Sequence, residues 1–297
     1  MKFLKRYLRV ARIESWLGWI LCFGFGSFFL GLPSPERFMA VFSAFLFATA
    51  SIFILNQYVD REEDRRNTLK SNLPIASGEI APRAALILSL SLIVSCLLLV
   101  SIVATSLTTL FLLYLALWTA YSVPPFRLKS VPTVDFITSG IGAGFLPFLI
   151  GVGTSSQFNV NISLILVGAI PLMLAHSSGH ILQALGDYEA DRENGVQTIV
   201  VKYGRKKSIA IMGLLSLIAG LLPFVYVAFA LVLPSIYFPL FFLPLPFCIP
   251  IAKRYVITIK NPTTENVVSL QKAARKYGIV IMALVGAFVS IGKILGL

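Results

Sequence analysis

Apolar residues run along this chain in windows broken by short polar segments. Their length, about 17–25 positions, crosses a hydrocarbon core as a helix. Nine such windows recur, near 15–32, 36–57, 84–103, 106–122, 134–153, 161–185, 208–231, 235–252 and 277–296, the eighth rich in proline. None alternates strictly as the strands of a membrane β-barrel do. The pattern predicts an all-α integral membrane protein, a bundle of about nine transmembrane helices with a cap of loops on the cytoplasmic side. It reads as a single domain over 1–297. The basic, partly amphipathic segment before the first window reads as a retained helix lying along the membrane surface rather than as a cleaved signal.

Composition sharpens the class. Hydrophobic residues make up 57% of the 297 positions and charged residues 13%, and mean hydropathy is +0.85. These values lie outside the soluble globular range. Basic residues collect in the leader (Lys2, Lys5, Arg6, Arg9, Arg12) and in alternate loops: Arg61 to Arg83, Arg127 and Lys129, Arg192 to Lys207, and Lys253 to Lys276. Only Arg37 and Lys293 fall on the other side. With an odd number of crossings this partition puts the N-terminus in the cytoplasm and the C-terminus outside a multi-pass cell-membrane protein. The net charge of +12 is thus mainly a topology signal, with a second use in holding an anion. Without a separate basic domain, nucleic acid is a poor partner. Cys22, Cys96 and Cys248 lie in apolar windows without ligand spacing and read as packing residues.

The acids carry the chemistry. In "ILNQYVDREEDRRN" (Ile54 to Asn67), Asn56, Asp60 and Asp64 are spaced i, i+4, i+8. On a continuing helix they line one stripe, rising about 12 Å. "HILQALGDYEADRENG" repeats the frame as Gln183, Asp187 and Asp191, four helices later and at equivalent depth. The repetition suggests an internal pseudo-repeat of helices 1–4 and 5–8. Converging carboxylates at a low-dielectric boundary repel one another unless cations sit between them. Hard oxygen ligands select Mg²⁺ or Ca²⁺, and two sparse sites suit Mg²⁺, which shares its shell with water and substrate phosphates. The implied ligand is a diphosphate, with Arg61, Arg65, Lys70, Arg127, Lys129, Lys202 and Arg205 available to neutralise it. Glu62, Glu63, Glu189 and Glu193 fall off the stripe and read as solvated surface acids.

"NQYVDREED" and "DYEAD" resemble the NxxxDxxxD and DxxxD motifs of the UbiA superfamily of intramembrane prenyltransferases. "LPIASGEI" (Leu73 to Ile80) and "YSVPPFRLK" (Tyr121 to Lys129) resemble its loops after the first motif and the fourth helix. The resemblance implies a nine-helix enzyme moving a prenyl group from an isoprenyl diphosphate to a lipophilic or aromatic acceptor. Mg²⁺ would be held by Asn56, Asp60, Asp64, Asp187 and Asp191. Lys70, Arg127 and Lys129 would bind the diphosphate, with Asn56, Tyr121 and Ser122 beside them, and Gln183 would stand one layer out. Many members read Arg-Pro where this chain has Leu73-Pro74, which passes that phosphate contact to Lys70 or removes it. Family acceptors range from aromatic acids, quinone precursors and tetrapyrroles to glycerol-phosphate lipids and carotenoids. The first motif with "LPIASG" is nearer archaeal or carotenoid-type members.

Leaving-group charge would be stabilised by Mg²⁺ and by fixed cations, Lys129 foremost. Aromatic faces would stabilise the allylic cation, with Phe53 and Tyr121 as candidate walls. Gly140, Gly142, Gly144 and Gly151 permit close helix packing or a tail groove. His176 and His180 have the spacing of a zinc pair but no third ligand, so they read as polar packing above the pocket, or as groups for acceptor contact or proton removal. Asp135 is left without a role. Two rival classes share these features: a cation-coupled transporter, whose acids commonly sit at mid-membrane, and a CDP-alcohol-type phosphotransferase, whose Gly- and Arg-containing insertion between aspartates is missing here.

Overall fold

A computed structural model describes residues 2–67, 70–155, 168–228 and 242–294. Among them the regular structure is entirely helical. The principal helices are α1 (Lys2–Ala11), α2 (Leu17–Ser27), α3 (Pro35–Arg66), α4 (Pro82–Val103), α5 (Thr108–Ser122), α6 (Val134–Val152), α7 (Ile170–Gly186), α8 (Tyr188–Glu193), α9 (Ile199–Tyr203), α10 (Arg205–Ala228), α11 (Leu245–Lys260) and α12 (Thr264–Ile294). Each of the nine apolar windows holds a helix. Four helices among the described residues, α3, α4, α6 and the stretch Arg205–Val225 of α10, are long and apolar enough to cross a membrane by length and composition. Parts of the sixth to ninth windows, including 161–167 and 235–241, lie outside the described residues.

Local sequence explains where α3 starts and stops. Ser34 accepts a hydrogen bond from the Arg37 amide, Pro35 takes the first helical position and Glu36 lies in the first turn, while Arg65 and Arg66 close the last turn. These are favourable cap and dipole choices at both ends. On α4, Ile87, Leu90, Val94, Leu98 and Ile102 form an exposed stripe, and Ala85, Ser89, Cys96 and Val100 are buried. A water-facing surface of that kind would be costly; a lipid-facing one is not.

The helices gather around two cores. Phe23, Phe45, Phe111, Tyr114 and Trp118 join α2 through α5, whereas Ile181, Leu185, Ile199, Val267 and Leu270 join α7, α9 and α12. Helix α6 packs between them at backbone distance. A Cβ on Gly151 would strike the Phe23 backbone of α2, and one on Gly144 the Leu172 backbone of α7. The glycines therefore serve packing, as small residues do between membrane helices. Helix α12 touches both α2 and α7 and so brings the end of the chain back to its beginning.

The leader helix does more than lie on a surface. Val10 is buried, its carbonyl accepts from Gln57 Nε2 at 2.6 Å, and Arg9 reaches Glu79 at 2.8 Å and the Asn72 carbonyl at 2.9 Å. Helix α1 is thereby docked on α3 and on the loop that follows it.

Candidate functional site

The first acidic frame lies on α3 as spacing predicts, at the end rich in charge. Asp60 and Asp64 are buried. Asn56 Nδ2 donates to Asp60 Oδ2 at 3.0 Å and to Ser122 Oγ at 3.1 Å, tying α3 to the end of α5. The segment after α5 folds back over these groups. Arg127 adopts a left-handed backbone (φ 38°), a conformation that L residues seldom take and that marks an overdetermined position. Its guanidinium meets Asp60 Oδ1 at 3.4 Å and also Glu63, and Lys129 donates to Asp60 Oδ2. Asp60 therefore carries a cation on each oxygen. Burial pulls the Lys129 ammonium pKa down while the Asp60 charge opposes that shift.

The second frame is less regular than its spacing suggests. Helix α7 ends at Gly186, Asp187 forms the junction, and Asp191 belongs to α8. Amide hydrogen bonds from Asp187 to the Gln183 carbonyl (3.2 Å) and from Asp191 to the Asp187 carbonyl (2.8 Å) carry the i, i+4 relation across the break. The stripe survives without one continuous helix. Burial, followed by the neighbouring Asp187 charge, pushes the Asp191 carboxyl up to about 6. Lys70 and Lys129 each attract both Asp64 and Asp191, so the two acid pairs face the same two ammonium groups.

All these groups open onto one cavity of about 1490 Å³. Asn56, Asp60, Asp64, Lys70, Tyr121, Ser122, Arg127, Lys129, Gln183, Asp187 and Asp191 all line it. Its other walls are apolar, drawn from α7, α10, α11 and α12 and including Leu172, Leu217, Leu221, Phe224 and Met282. The volume exceeds the roughly 300–1,000 Å³ of a typical small-molecule site, leaving room for more than one substrate.

Four of the loop cations do not line this cavity. Arg61 bonds the Tyr58 carbonyl, Arg65 pairs with Glu62, Lys202 lies over the Tyr203 ring, and Arg205 joins Glu189 to Pro262 and Thr264. Glu63 is exposed, as a surface acid should be, and in addition lines the cavity and pairs with Arg127. It sits three residues from Asp60, off the i+4 stripe, and its partner is 64 residues away, so local spacing held no signal for it. Arg12 also lines the cavity, its guanidinium 5.9 Å from the Phe53 ring centroid.

Between the acids and the apolar walls runs a line of aromatic rings. Phe53 to Trp19 is 5.1 Å between centroids, Trp19 to Trp118 4.7 Å, Trp118 to Tyr121 5.1 Å, and Tyr121 to His180 6.2 Å. Phe53 and Tyr121 were legible as wall candidates; Trp19 and Trp118, inside apolar windows, look in sequence like lipid-facing or core residues. Asp135 has a structural place. Its two oxygens accept the amides of Phe136 at 2.8 Å and Ile199 at 3.1 Å, and it is fully buried.

Among the described residues no three His, Cys, Asp or Glu side chains form a ready-made metal cage. Each aspartate pair does offer hard oxygens to a cation that completes its shell with phosphate and water, the coordination habit of Mg²⁺.

Comparison with known proteins places the chain in a family and its fold among solved structures. The family model described as "UbiA prenyltransferase family" matches residues 17–273. A digeranylgeranylglyceryl phosphate synthase of Methanothrix thermoacetophila is 32% identical over 193 residues, covering 65% of this chain and 68% of that protein. A probable chloroplastic homogentisate phytyltransferase 2 of Oryza sativa subsp. japonica is 32% identical over 188 residues, covering 59% of this chain and 47% of that one. The solved structure of a UbiA homolog from Archaeoglobus fulgidus bound to GPP and Mg²⁺ superposes with a TM-score of 0.75 at 24% identity, covering 97% of this chain and 99% of that one.

Proposed function

Since this chain belongs to the UbiA prenyltransferase family, we propose that it transfers a prenyl group from an isoprenyl diphosphate to a lipophilic or aromatic acceptor within the membrane. The observation that carries this reading is the single cavity in which two aspartate pairs and Lys70, Arg127 and Lys129 meet an apolar chamber. A diphosphate suits the charged end and an isoprenoid tail the other. Family membership sets aside the transporter and phosphotransferase classes.

Mg²⁺ is the proposed cofactor, held by Asn56, Asp60 and Asp64 on one side and by Asp187 and Asp191 on the other. When bound it supplies positive charge against the departing diphosphate. The chain's own residues do the rest. Lys129 and Arg127, held at Asp60, face the diphosphate oxygens and stabilise negative charge as the carbon–oxygen bond opens. Lys70 approaches from the loop after α3, and Ser122 and Tyr121 border the reacting carbon. The aromatic line keeps water from the allylic cation and faces it with π density.

Topology follows the same reading. Four helices, α4 to α7, separate Asp64 from Asp187, and an even number of crossings returns the chain to one face. Together with the basic loops this supports about nine crossings, a cytoplasmic N-terminus and a cytoplasmic active site. The matched frames at the ends of α3 and α7 support one domain containing an internal pseudo-repeat. Purified protein incubated with Mg²⁺, labelled GPP or DMAPP, and either homogentisate or a total lipid extract should yield a prenylated product identified by mass. No product from any pairing, or product formation that survives chelation of Mg²⁺, would overturn the reading.

A further inference from the structure

Prenyl transfer has two halves, and the charged cluster accounts for only one. In the first, the carbon–oxygen bond breaks and its electron pair leaves with the diphosphate. In the second, an electron pair from an acceptor oxygen or ring carbon forms the new bond to the allylic carbon. The acceptor then carries a positive charge until the hydrogen it bore departs as a proton. A group with a free lone pair must stand where the charged cluster meets the apolar chamber, because the reacting carbon is one bond from the diphosphate.

The chain has two histidines, and both line the cavity. His176 is already engaged. Its Nε2 lies 3.2 Å from Cys22 Sγ, so it ties α7 to α2. His180, one turn further along α7, has no hydrogen-bond partner among the described residues. The ring is half-buried and lines the cavity, so it is reachable from within it. The ring stands edge-on to Tyr121 at 6.2 Å and 80°, at the end of the aromatic line. Tyr121 is followed by Ser122, which bonds Asn56 of the first acidic frame. Imidazole is thus presented at the boundary where the acceptor atom must sit, with a nitrogen lone pair uncommitted. His176, by contrast, has its Nε2 engaged by Cys22.

We infer that His180 is the proton acceptor of the transfer step, receiving the hydrogen of the acceptor hydroxyl or ring carbon as the new bond to the allylic carbon forms. This rests on the prenyltransferase reading above. The diphosphate leaves with its electron pair, the acceptor gains the prenyl carbon and loses one proton, and imidazole becomes imidazolium until it releases that proton to water.

The test separates the two halves of the reaction. His180→Ala and His180→Gln are compared with the wild-type protein, using Mg²⁺, labelled GPP and whichever of homogentisate or lipid extract the wild type prenylates. Diphosphate release and prenylated product are measured in the same tube. The ratio of the two is independent of how much variant is folded. We expect diphosphate release to stay within about threefold, transfer to fall by roughly 10²–10⁴-fold, and the free prenyl alcohol to accumulate as water captures the cation. Added imidazole should restore transfer in His180→Ala. A ratio equal to that of wild type in both variants, whether the two rates fall together or stay unchanged, would overturn the assignment. His176→Ala should keep the wild-type ratio, and an equal shift there would show that any loss on this face of α7 uncouples the reaction. Failure of the wild type itself to transfer would strike the prenyltransferase reading, not this assignment.

Discussion

Replacing Lys129 by Met keeps the length of the side chain and removes one ammonium from the centre of the cavity. In the structure that ammonium sits on Asp60 Oδ2 with its side chain 15% exposed, while Arg127 holds the other oxygen at 3.4 Å with its side chain 27% exposed. The loss is therefore divided. Asp60 keeps one cation and its bond from Asn56, so the fold and the binding of the diphosphate suffer modestly. The departing oxygens lose a fixed, desolvated donor at the moment their charge grows. Loss of one preorganised donor of this kind costs about 2.7–4 kcal/mol of transition-state stabilisation, a fall in kcat of about 10²–10³. The assay is the initial rate of prenyl transfer with saturating labelled GPP, with Lys206→Met as the control for loop charge, since Lys206 is exposed and does not line the cavity. Lys206→Met should stay within about threefold of wild type. Equal losses in the two variants, or less than tenfold in Lys129→Met, would refute the argument that Lys129 acts at a specific point on the leaving group.

Asp187→Asn and Asp191→Asn should each abolish most activity without lowering thermal stability appreciably, and raised Mg²⁺ should partly rescue each; full activity in either would end the two-frame model. Because the Asp191 carboxyl is held near 6 and only its deprotonated form binds a cation, the Mg²⁺ concentration for half-maximal rate should rise about fourfold as pH falls from 7.5 to 5.5. Asp191→Asn should remove its share of that dependence and leave the share of Asp64, whose carboxyl is likewise pushed up to about 6 by burial and by Asp60, as a Mg²⁺ titration at the two pH values will show. A Cβ on Gly142 would land in the Trp118 indole, so Gly142→Ala should lower stability by about 1–3 kcal/mol and slow transfer; a denaturation midpoint unchanged from wild type would contradict the packing described. In a chain without its native cysteines, single cysteines at Glu62 and Lys206 should react with an impermeant thiol reagent from the cytoplasmic face, and one at Glu36 only from outside. Labelling of the first two from opposite faces would separate the acid pairs and end the shared site.

What sequence reveals and conceals here follows physical range. Helices are legible because a lipid environment forces apolar windows of one length, and the first acidic frame because α3 is uninterrupted through Asp64. The second frame repeats in sequence, yet the chain breaks at Asp187, and only backbone geometry shows that the hydrogen-bond relation continues. Glu63 is the exposed acid its position suggests, but its pairing with Arg127 is hidden from sequence because the partner arrives from the segment after α5. Trp19 and Trp118 were hidden among 23 phenylalanines and 10 tyrosines, since an aromatic ring facing a cavity and one facing lipid satisfy the same apolar pattern. Asp135 illustrates the opposite case, a lone acid at the start of a helix that sequence leaves without a role and that accepts two backbone amides in the structure.

Those two amides are far apart in sequence. The first belongs to the next residue, but the second, on Ile199, lies 64 residues further along. One buried side chain therefore ties the start of α6 to the short helix α9, and a carboxylate that would be costly to bury alone becomes the joint between two distant segments of the chain.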